Sequence, residues 1–550
     1  MAATVAICDT LGDQAVSSKS KPRVLLLVDV PRWAFDFVAH QMVRILGDEF
    51  RLDIRYVRKR PRINAKKYDL LYVFFWGEDR YKRWDFPPDR IIKEVSSHRW
   101  RDDPTYGPCT PKQMAKKFLR DAHLVACTSQ SMQEILEDHH PRVRLTSNGI
   151  DPGQFYPLAR RTGPLTIGWS GNANVELKGL QSILEPACEG RFNLKVAPGN
   201  LSYEQMNEFY NSVDVFAIAS RHEGQPITLV EAMATGCFPV CNRVGIVPEL
   251  VQDQENGLIV SERTPEAYRE AFQWCHDHLD EVRSRGAENA KLAHQIRNWE
   301  ALAPNFRQAF HETLQAAKAP KFRNDDISWD TDLECLKQFC DVFHQHNYTQ
   351  IHGAVLFGET NCTQQHDGVP CEYEGVTSIA DIPNAEIRRL SADHALAERK
   401  DIIDYLNSIP DEVALHGLYH TDYSTMSVEE QRSDITEGLA ILDELFPKKM
   451  IRYFIAPFNR VGPETANVCR EFNLQMLAGT GVHLEAELPS FVVEENQMYR
   501  YHHHRFYPQS SFDYYQLDMQ LLDEALSRVG EPNIKHSGVF KKIRNYFRAA

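Results

Sequence analysis

Uninterrupted apolar runs of strand length recur along this chain, beginning with RVLLLVDV (23–30), and they narrow its possible folds more than any other feature. A strand that is apolar at consecutive residues has no wet face, which is the pattern of a parallel sheet covered by helices on both sides. DLLYVFFW (69–76), HLVACTS (123–129) and VRLTSNGI (143–150) repeat the pattern, with helical spacing between several of them. A second series follows in LTIGWSGN (165–172), FNLKVAPG (192–199), VDVFAIAS (213–220), CFPVCN (237–242) and NGLIV (256–260). Alternating strand and helix of this kind predicts doubly wound α/β domains.

At 550 residues the chain exceeds one ordinary core, and the Pro/Gly-bearing stretch DPGQFYPLARRTGP (151–164) separates the two series. A helix around Trp299 to Leu314 closes the second, and QAAKAPKFRN (315–324) reads as a linker. Beyond it, Leu333, Leu336, Phe339, Cys340 and Phe343 keep helical spacing behind a capping box formed by Thr331 and Glu334. Strand-like runs at 351–357, 411–415, 450–456 and 474–478 make the third unit α/β as well. The expected division is a polar leader at 1–21, Rossmann-like domains at 22–155 and 156–316, a third domain at 317–535 and a tail at 536–550.

Composition excludes some functions. Lys plus Arg number 62 against 76 Asp plus Glu, a net charge of −14, which disfavours a general nucleic-acid surface. With no basic start leading into an apolar stretch and no long apolar window, the expected location is cytoplasmic. Twelve cysteines without a CxxC pair are expected as reduced thiols, Cys335 and Cys340 among them as core residues. In the tail, Phe540, Ile543 and Phe547 at helical spacing alternate with Lys541, Lys542, Arg544 and Arg548, which suits either peripheral contact with an anionic membrane or packing on its own domain.

The most informative stretch of the first half is SRHEGQPITLVEAMATG (220–236). A strand ends near Ser220, a loop follows, and Thr228 opens a short helix that Gly236 can terminate. A helix N-terminus offers free N–H groups and positive potential to a pyrophosphate. Glu231, one turn in, can accept from ribose hydroxyls, and Glu223 in the loop can reach a sugar; alternatively, both carboxylates simply face water. His98 and His222 are weaker candidates, since a lone histidine is more often structural.

The spacing of Glu223 and Glu231 resembles the Glu-x7-Glu signature of the retaining GT-B glycosyltransferases of family 4, as do VPELVQDQENGLIV (247–260) and ELKG (176–179). The resemblance covers about residues 22–315 and implies that 22–155 is the acceptor side and 156–316 the nucleotide-sugar side. It implies a nucleotide-sugar site of Gly171, Lys178, His222, Glu223, Thr228 and Glu231, with a UDP-sugar as donor. Lys178 would neutralise donor phosphate, Glu231 would hold the ribose, and Glu223 would lie beside the transferred sugar.

A different chemistry is written in DEVALHGLYHTDYS (411–424), where His416 ends a strand and His420 follows four residues later. Two imidazoles so spaced can converge on one cation, and a carboxylate is then needed from elsewhere. NDDIS (324–328) places paired aspartates just before a helix at the start of the same domain. Asp-Asp, His-Gly-x-x-His and RYFIAPFNRVG (452–462), in that order, resemble the NodB-type polysaccharide deacetylases of carbohydrate esterase family 4, over roughly 320–510. That resemblance implies a distorted (β/α) barrel in which Asp326, His416 and His420 hold a divalent metal, zinc by preference, and Asp325 is the base. A late histidine would protonate the departing amine; in YRYHHHRF (499–506) His502 and His504 share one face of a strand.

Together the resemblances imply a bifunctional enzyme. It would transfer a sugar, N-acetylglucosamine by preference, to a glycan, lipid-linked or small-molecule acceptor, and then remove the acetyl group. Two alternatives are a transferase whose third domain only binds glycan, and an enzyme that modifies a small molecule or a modified DNA base.

Overall fold

The computed structural model describes residues 20–159, 161–199, 201–358, 382–477, 482–483, 497–502 and 519–527. His504, the leader up to residue 19 and the basic tail at 536–550 lie outside the described residues.

The first sheet contains β1 (Arg23–Val28), β2 (Arg51–Tyr56), β3 (Leu70–Val73), β4 (Ile91–Val95), β5 (Leu124–Cys127) and β6 (Val143–Leu145), in the order β2-β1-β3-β4-β5-β6. Every neighbouring pair is parallel. The second contains β7 (Thr166–Ser170), β8 (Asn193–Ala197), β9 (Val215–Ile218), β10 (Phe238–Asn242) and β11 (Leu258–Val260), also parallel, ordered β11-β10-β9-β7-β8. Gln225 donates its amide to Asn148 O (2.7 Å) and accepts from Asn148 N (2.6 Å), so the carboxyl ends of the two sheets face one another across a cleft. Two Rossmann-like sheets facing in this way form the GT-B arrangement that the sequence predicts. The helix Trp299–Lys318 follows the second sheet in the chain but packs on the first, its Trp299, Phe306, Phe310 and Leu314 lying against Val24, Leu26 and Tyr72.

The third sheet is formed by β12 (Lys321–Ile327), β13 (Gln350–Ala354), β14 (Glu412–Leu415), β15 (Tyr453–Phe454), β16 (Gln475–Met476), β17 (Val482–His483) and β18 (Met498–Tyr501). Its order is β16-β15-β14-β13-β12-β18-β17, parallel throughout, with the last strands folded back beside the first. Among the described residues β16 and β17 are not paired with one another, and the seven-stranded sheet is compatible with the distorted barrel expected from the sequence.

Three strands depart from the sequence reading. β2 (RLDIRY) carries charge on alternate residues, and β4 (IIKEV) buries Lys93 and Glu94, the lysine against Asp121 at 2.9 Å. The segment read as a linker continues as β12, so Asp325 and Asp326 sit near the end of a strand and not directly before a helix. The helix that follows begins at Leu333 with Asp332 as its cap, accepting from Cys335 N at 3.1 Å, while Thr331 Oγ1 accepts instead from Ser328 N at 2.9 Å. The expected capping box therefore does not form.

The third sheet meets the first through the residues that precede their strands. Lys321 pairs with Asp89, Arg120 donates to Ile451 O (2.8 Å) and to Asp443 (2.9 Å), and Asn473 donates to Lys117 O (2.7 Å). Arg452, buried, pairs with Glu412 and reaches Ala122 O at 3.4 Å. Described cysteines are free thiols, and Cys340 lies in the third core as expected. Among the described residues no helix is long and apolar enough to cross a membrane.

Candidate active sites

The loop after β9 and the short helix Ile227–Ala234 carry the first constellation. Lys178 Nζ donates to Glu223 Oε1 at 2.5 Å, and Ser220 Oγ donates to the same oxygen at 2.7 Å. The lysine is held by a tight turn: Gly179 has φ +72°, and a Cβ there would stand 2.3 Å from Ala219 O. Gly224 lies so close to the first sheet that a Cβ would meet Ser96 O at 2.1 Å. His222 Nε2 lies 3.0 Å from Asp102 Oδ2, a contact from the second sheet to the first.

Glu231 sits one turn into the helix and is buried. Burial raises its carboxyl pKa to about 7, while a hydrogen bond from Tyr210 OH (2.8 Å) acts in the opposite direction by favouring the ionised form. Thr228 is the second residue of the helix, whose cap is Pro226, one position earlier than expected. Gly171 follows β7 with φ +153°, and its amide already donates to Ala197 O (3.1 Å). Its contribution is therefore room, not a free donor. His98, buried 5.6 Å ring to ring from His222, has its pKa pushed down to about 3 by burial and is neutral at physiological pH.

On the other wall, at the carboxyl ends of β1 and β3, a cavity of about 620 Å³ is lined by Asp29, Phe35, Arg58, Phe75, Arg99 and Tyr106 among others. Ligands of open α/β sheets bind at this end of the strands. Arg99 lies over the Phe75 ring (5.4 Å) and the Tyr106 ring (5.1 Å), three residues before the aspartate that meets His222.

The second constellation lies at the carboxyl end of the third sheet. His416 Nε2 and His420 Nε2 converge on Asp326 Oδ1 at 3.0 and 3.2 Å, and His502 Nε2 is 3.6 Å from Asp326 Oδ2. The sequence thus brings Asp326, His416, His420 and His502 together. Burial alone would raise the Asp326 carboxyl pKa, but hydrogen bonding to the two imidazoles holds it well below the usual range.

The histidine contacts test whether these residues fit a cation. His416 Nδ1 lies 2.9 Å from Ile455 O, which can only accept, so Nδ1 donates there and Nε2 is the atom turned to Asp326. A cation between Nε2 and the carboxylate would take both as ligands. His420 turns Nε2 to the same carboxylate oxygen, while its Nδ1 is buried without a hydrogen-bond partner. One carboxylate and two imidazoles form a donor set suited to zinc.

Asp325 is tied down by a residue that the motifs did not signal. Arg323, fully buried, donates from Nε to Asp325 Oδ1 (2.6 Å) and from Nη2 to Oδ2 (2.5 Å), and its remaining donors reach Leu477 O (2.7 Å) and Asn459 Oδ1 (3.1 Å). The available signal was a charged side chain inside a strand, where a charge persists only if paired. Tyr210, Ser220 and Asp102 were missed as well.

A second cluster of Cys340, His352 and Asp411 lies deep in the same domain. Asp411 there already accepts from His344 (2.9 Å), His352 (2.9 Å) and Gln350 N (3.1 Å), so it reads as a satisfied polar knot.

Residues 194–293 match the family model described as Glycosyl transferases group 1. The D-inositol 3-phosphate glycosyltransferase of Corynebacterium glutamicum (strain R) is 30% identical over 105 residues, 19% of this chain and 25% of the relative. The MMP alpha-(1->4)-mannosyltransferase of Mycolicibacterium hassiacum is 25% identical over 268 residues, 42% of this chain and 64% of the relative. The chain thus spans a quarter of the first relative's length and under two thirds of the second's. Sucrose-phosphate synthase from Thermosynechococcus elongatus superposes with TM-score 0.42 at 16% identity, over 54% of this chain and 100% of that one. A mutant of BA3943, a CE4 family pseudoenzyme with restored enzymatic activity, superposes with TM-score 0.25 at 13% identity, over 38% of this chain and 62% of that one. The stretch that matches the group 1 glycosyl transferase model, residues 194–293, holds Glu223, Thr228 and Glu231.

Proposed function

We propose that the chain is a two-site enzyme that transfers a sugar from a nucleotide sugar with retention and hydrolyses the N-acetyl group of the product. The observation that carries the first half is the pairing of Lys178 with Glu223 in the loop that leads into the helix bearing Glu231, within the stretch that matches the group 1 glycosyl transferase model. In this reading Lys178 turns from Glu223 to the donor phosphates, and the amides of the helix start add to the attraction. Ionised Glu231 accepts from the ribose hydroxyls, and Glu223 faces the transferred sugar. The acceptor occupies the cavity lined by Phe75, Arg99 and Tyr106. UDP-N-acetylglucosamine is the proposed donor, because the product then carries the group the third domain would remove.

The second half rests on Asp326, His416 and His420. These three residues would hold a divalent cation, which would supply polarisation of an amide carbonyl and activation of water near neutral pH. Asp325, oriented by Arg323, takes a proton from the attacking water, whose oxygen ends in acetate. His502 or His504 gives a proton to the nitrogen as the carbon–nitrogen bond breaks. The domain limits proposed are those expected from the sequence, with the third domain at 317–535.

Incubation with UDP-N-acetylglucosamine, zinc and a panel of glycan, lipid-linked and small-molecule acceptors should release UDP and then acetate. Release of UDP without acetate for every productive acceptor would leave a transferase with a non-hydrolytic third domain. Failure to release UDP from any nucleotide sugar would overturn the reading as a whole.

A further inference from the structure

The position of the two sites follows from how three parallel sheets are joined. In a parallel sheet all strand starts lie at one end and all strand finishes at the other. The Gly224 and Gln225 contacts join the finishing end of the first sheet to that of the second, and Glu223 lies in this junction.

The third sheet meets the first at the opposite end. Asp89 precedes β4, Ala122 precedes β5, and Lys117 lies in the segment leading to β5. Their partners are Lys321 at the start of β12, Arg452 before β15 and Asn473 before β16. Arg120 and Ile451, and Asp85 and Arg470 (2.9 Å), repeat the relation. Asp326, His416 and His502 sit at the finishing ends of β12, β14 and β18, and therefore on the far side of the third sheet. β4 and β12, of five and seven residues, stand between the two centres, on the order of 40 Å of strand at about 3.3 Å per residue.

The junction between the first and third sheets is bridged by buried charged side chains. Arg120, Arg452 and Asp89 are buried in it, and each is engaged by an ion pair across or beside the contact. A cavity of about 240 Å³ at this junction is lined by Tyr81, Asp121, Arg470 and Leu474 among others, and by none of Glu223, Asp326, His416 and His420.

We infer that the glycosylated product leaves the transferase cleft, crosses bulk solvent and is taken up again by the metal centre, with no internal transfer between the sites. The inference rests on the two-site reading above. It places the second reaction as hydrolysis of a free N-acetyl glycoside, supplied by any glycosyl transfer that makes the same product, whether by this copy of the chain or another.

Isotope dilution in the full-length protein tests this. The enzyme is given UDP-N-acetylglucosamine labelled in the sugar ring, acceptor and zinc, with and without excess unlabelled acetylated product prepared beforehand. Release through solvent predicts that the specific radioactivity of the deacetylated product falls by the factor of the dilution, and that acetate lags behind UDP. Undiluted label in the deacetylated product, with no lag, would overturn the inference while leaving both activities intact. Absence of acetate even from the prepared product supplied alone would remove the two-site reading and the inference with it.

Discussion

Lys178 Nζ and Glu223 Oε1 are 2.5 Å apart, so the cation proposed for the donor phosphates is paired with the carboxylate proposed for the sugar. Donor binding must separate them. Lys178→Ala should weaken UDP binding by about tenfold to a hundredfold, as expected for loss of a charge-assisted contact. Glu223→Gln should have the opposite effect on UDP alone, tightening it severalfold while suppressing transfer. Titration calorimetry with UDP reads both, and equal weakening by both variants would contradict the pairing.

Glu231 gives the transferase a pH signature. Its pKa is raised to about 7 by burial, above the ordinary value of 4.5, so the folded protein holds a proton that the unfolded chain releases between those values. Its stabilising contribution is present below pH 4.5 and is lost as pH rises through about 7. Glu231→Gln should therefore match the parent near pH 4.5 and exceed it in thermal stability at pH 8. For catalysis, which needs the ionised form to accept from ribose, the parent's kcat/KM should rise through pH 7. Tyr210→Phe removes the hydrogen bond favouring that form and should move the limb to higher pH.

The Asp326, His416 and His420 set should respond to cations without any substrate present. Zinc at a hundred times its dissociation constant should stabilise the third domain by about 2.7 kcal/mol, read as a rise in its melting temperature that chelation reverses. His416→Ala should abolish the rise. Acidification should weaken it too, because protonated imidazoles cannot ligate.

Arg323 and Asp325 form a fully buried pair, and breaking one side differs from removing both. Arg323→Met leaves a buried carboxylate uncompensated and should cost about 3–5 kcal/mol, whereas Arg323→Met with Asp325→Leu should recover much of the loss. Denaturant unfolding measures the difference. Deacetylation should be lost in both variants.

What the sequence made legible follows from where each residue finds its partner. β1, with five of its six residues buried and apolar, announces itself without reference to anything else. β12 does not, because its polar residues are satisfied inside the fold: Arg323 by Asp325, and Asn324 by His352, 3.2 Å away but 28 residues along the chain. The same distinction governs the sites. Glu223 and Glu231 are visible because the loop and helix between them are local, while Tyr210, which positions Glu231, lies 21 residues earlier in a helix with no motif of its own. His416 and His420 share a turn and are read directly; Asp326 joins them from 90 residues away, and only the order of the motifs along the chain connects it to them.

The return of the helix Trp299–Lys318 to the first sheet also bears on how the protein is made. A nascent chain that has emerged only as far as β6 cannot yet cover the face formed by Val24, Leu26 and Tyr72, since Phe306, Phe310 and Leu314 are still to be synthesised. The first domain therefore completes its folding after the second has been translated, and a ribosome stalled between them holds an apolar surface that a chaperone would recognise.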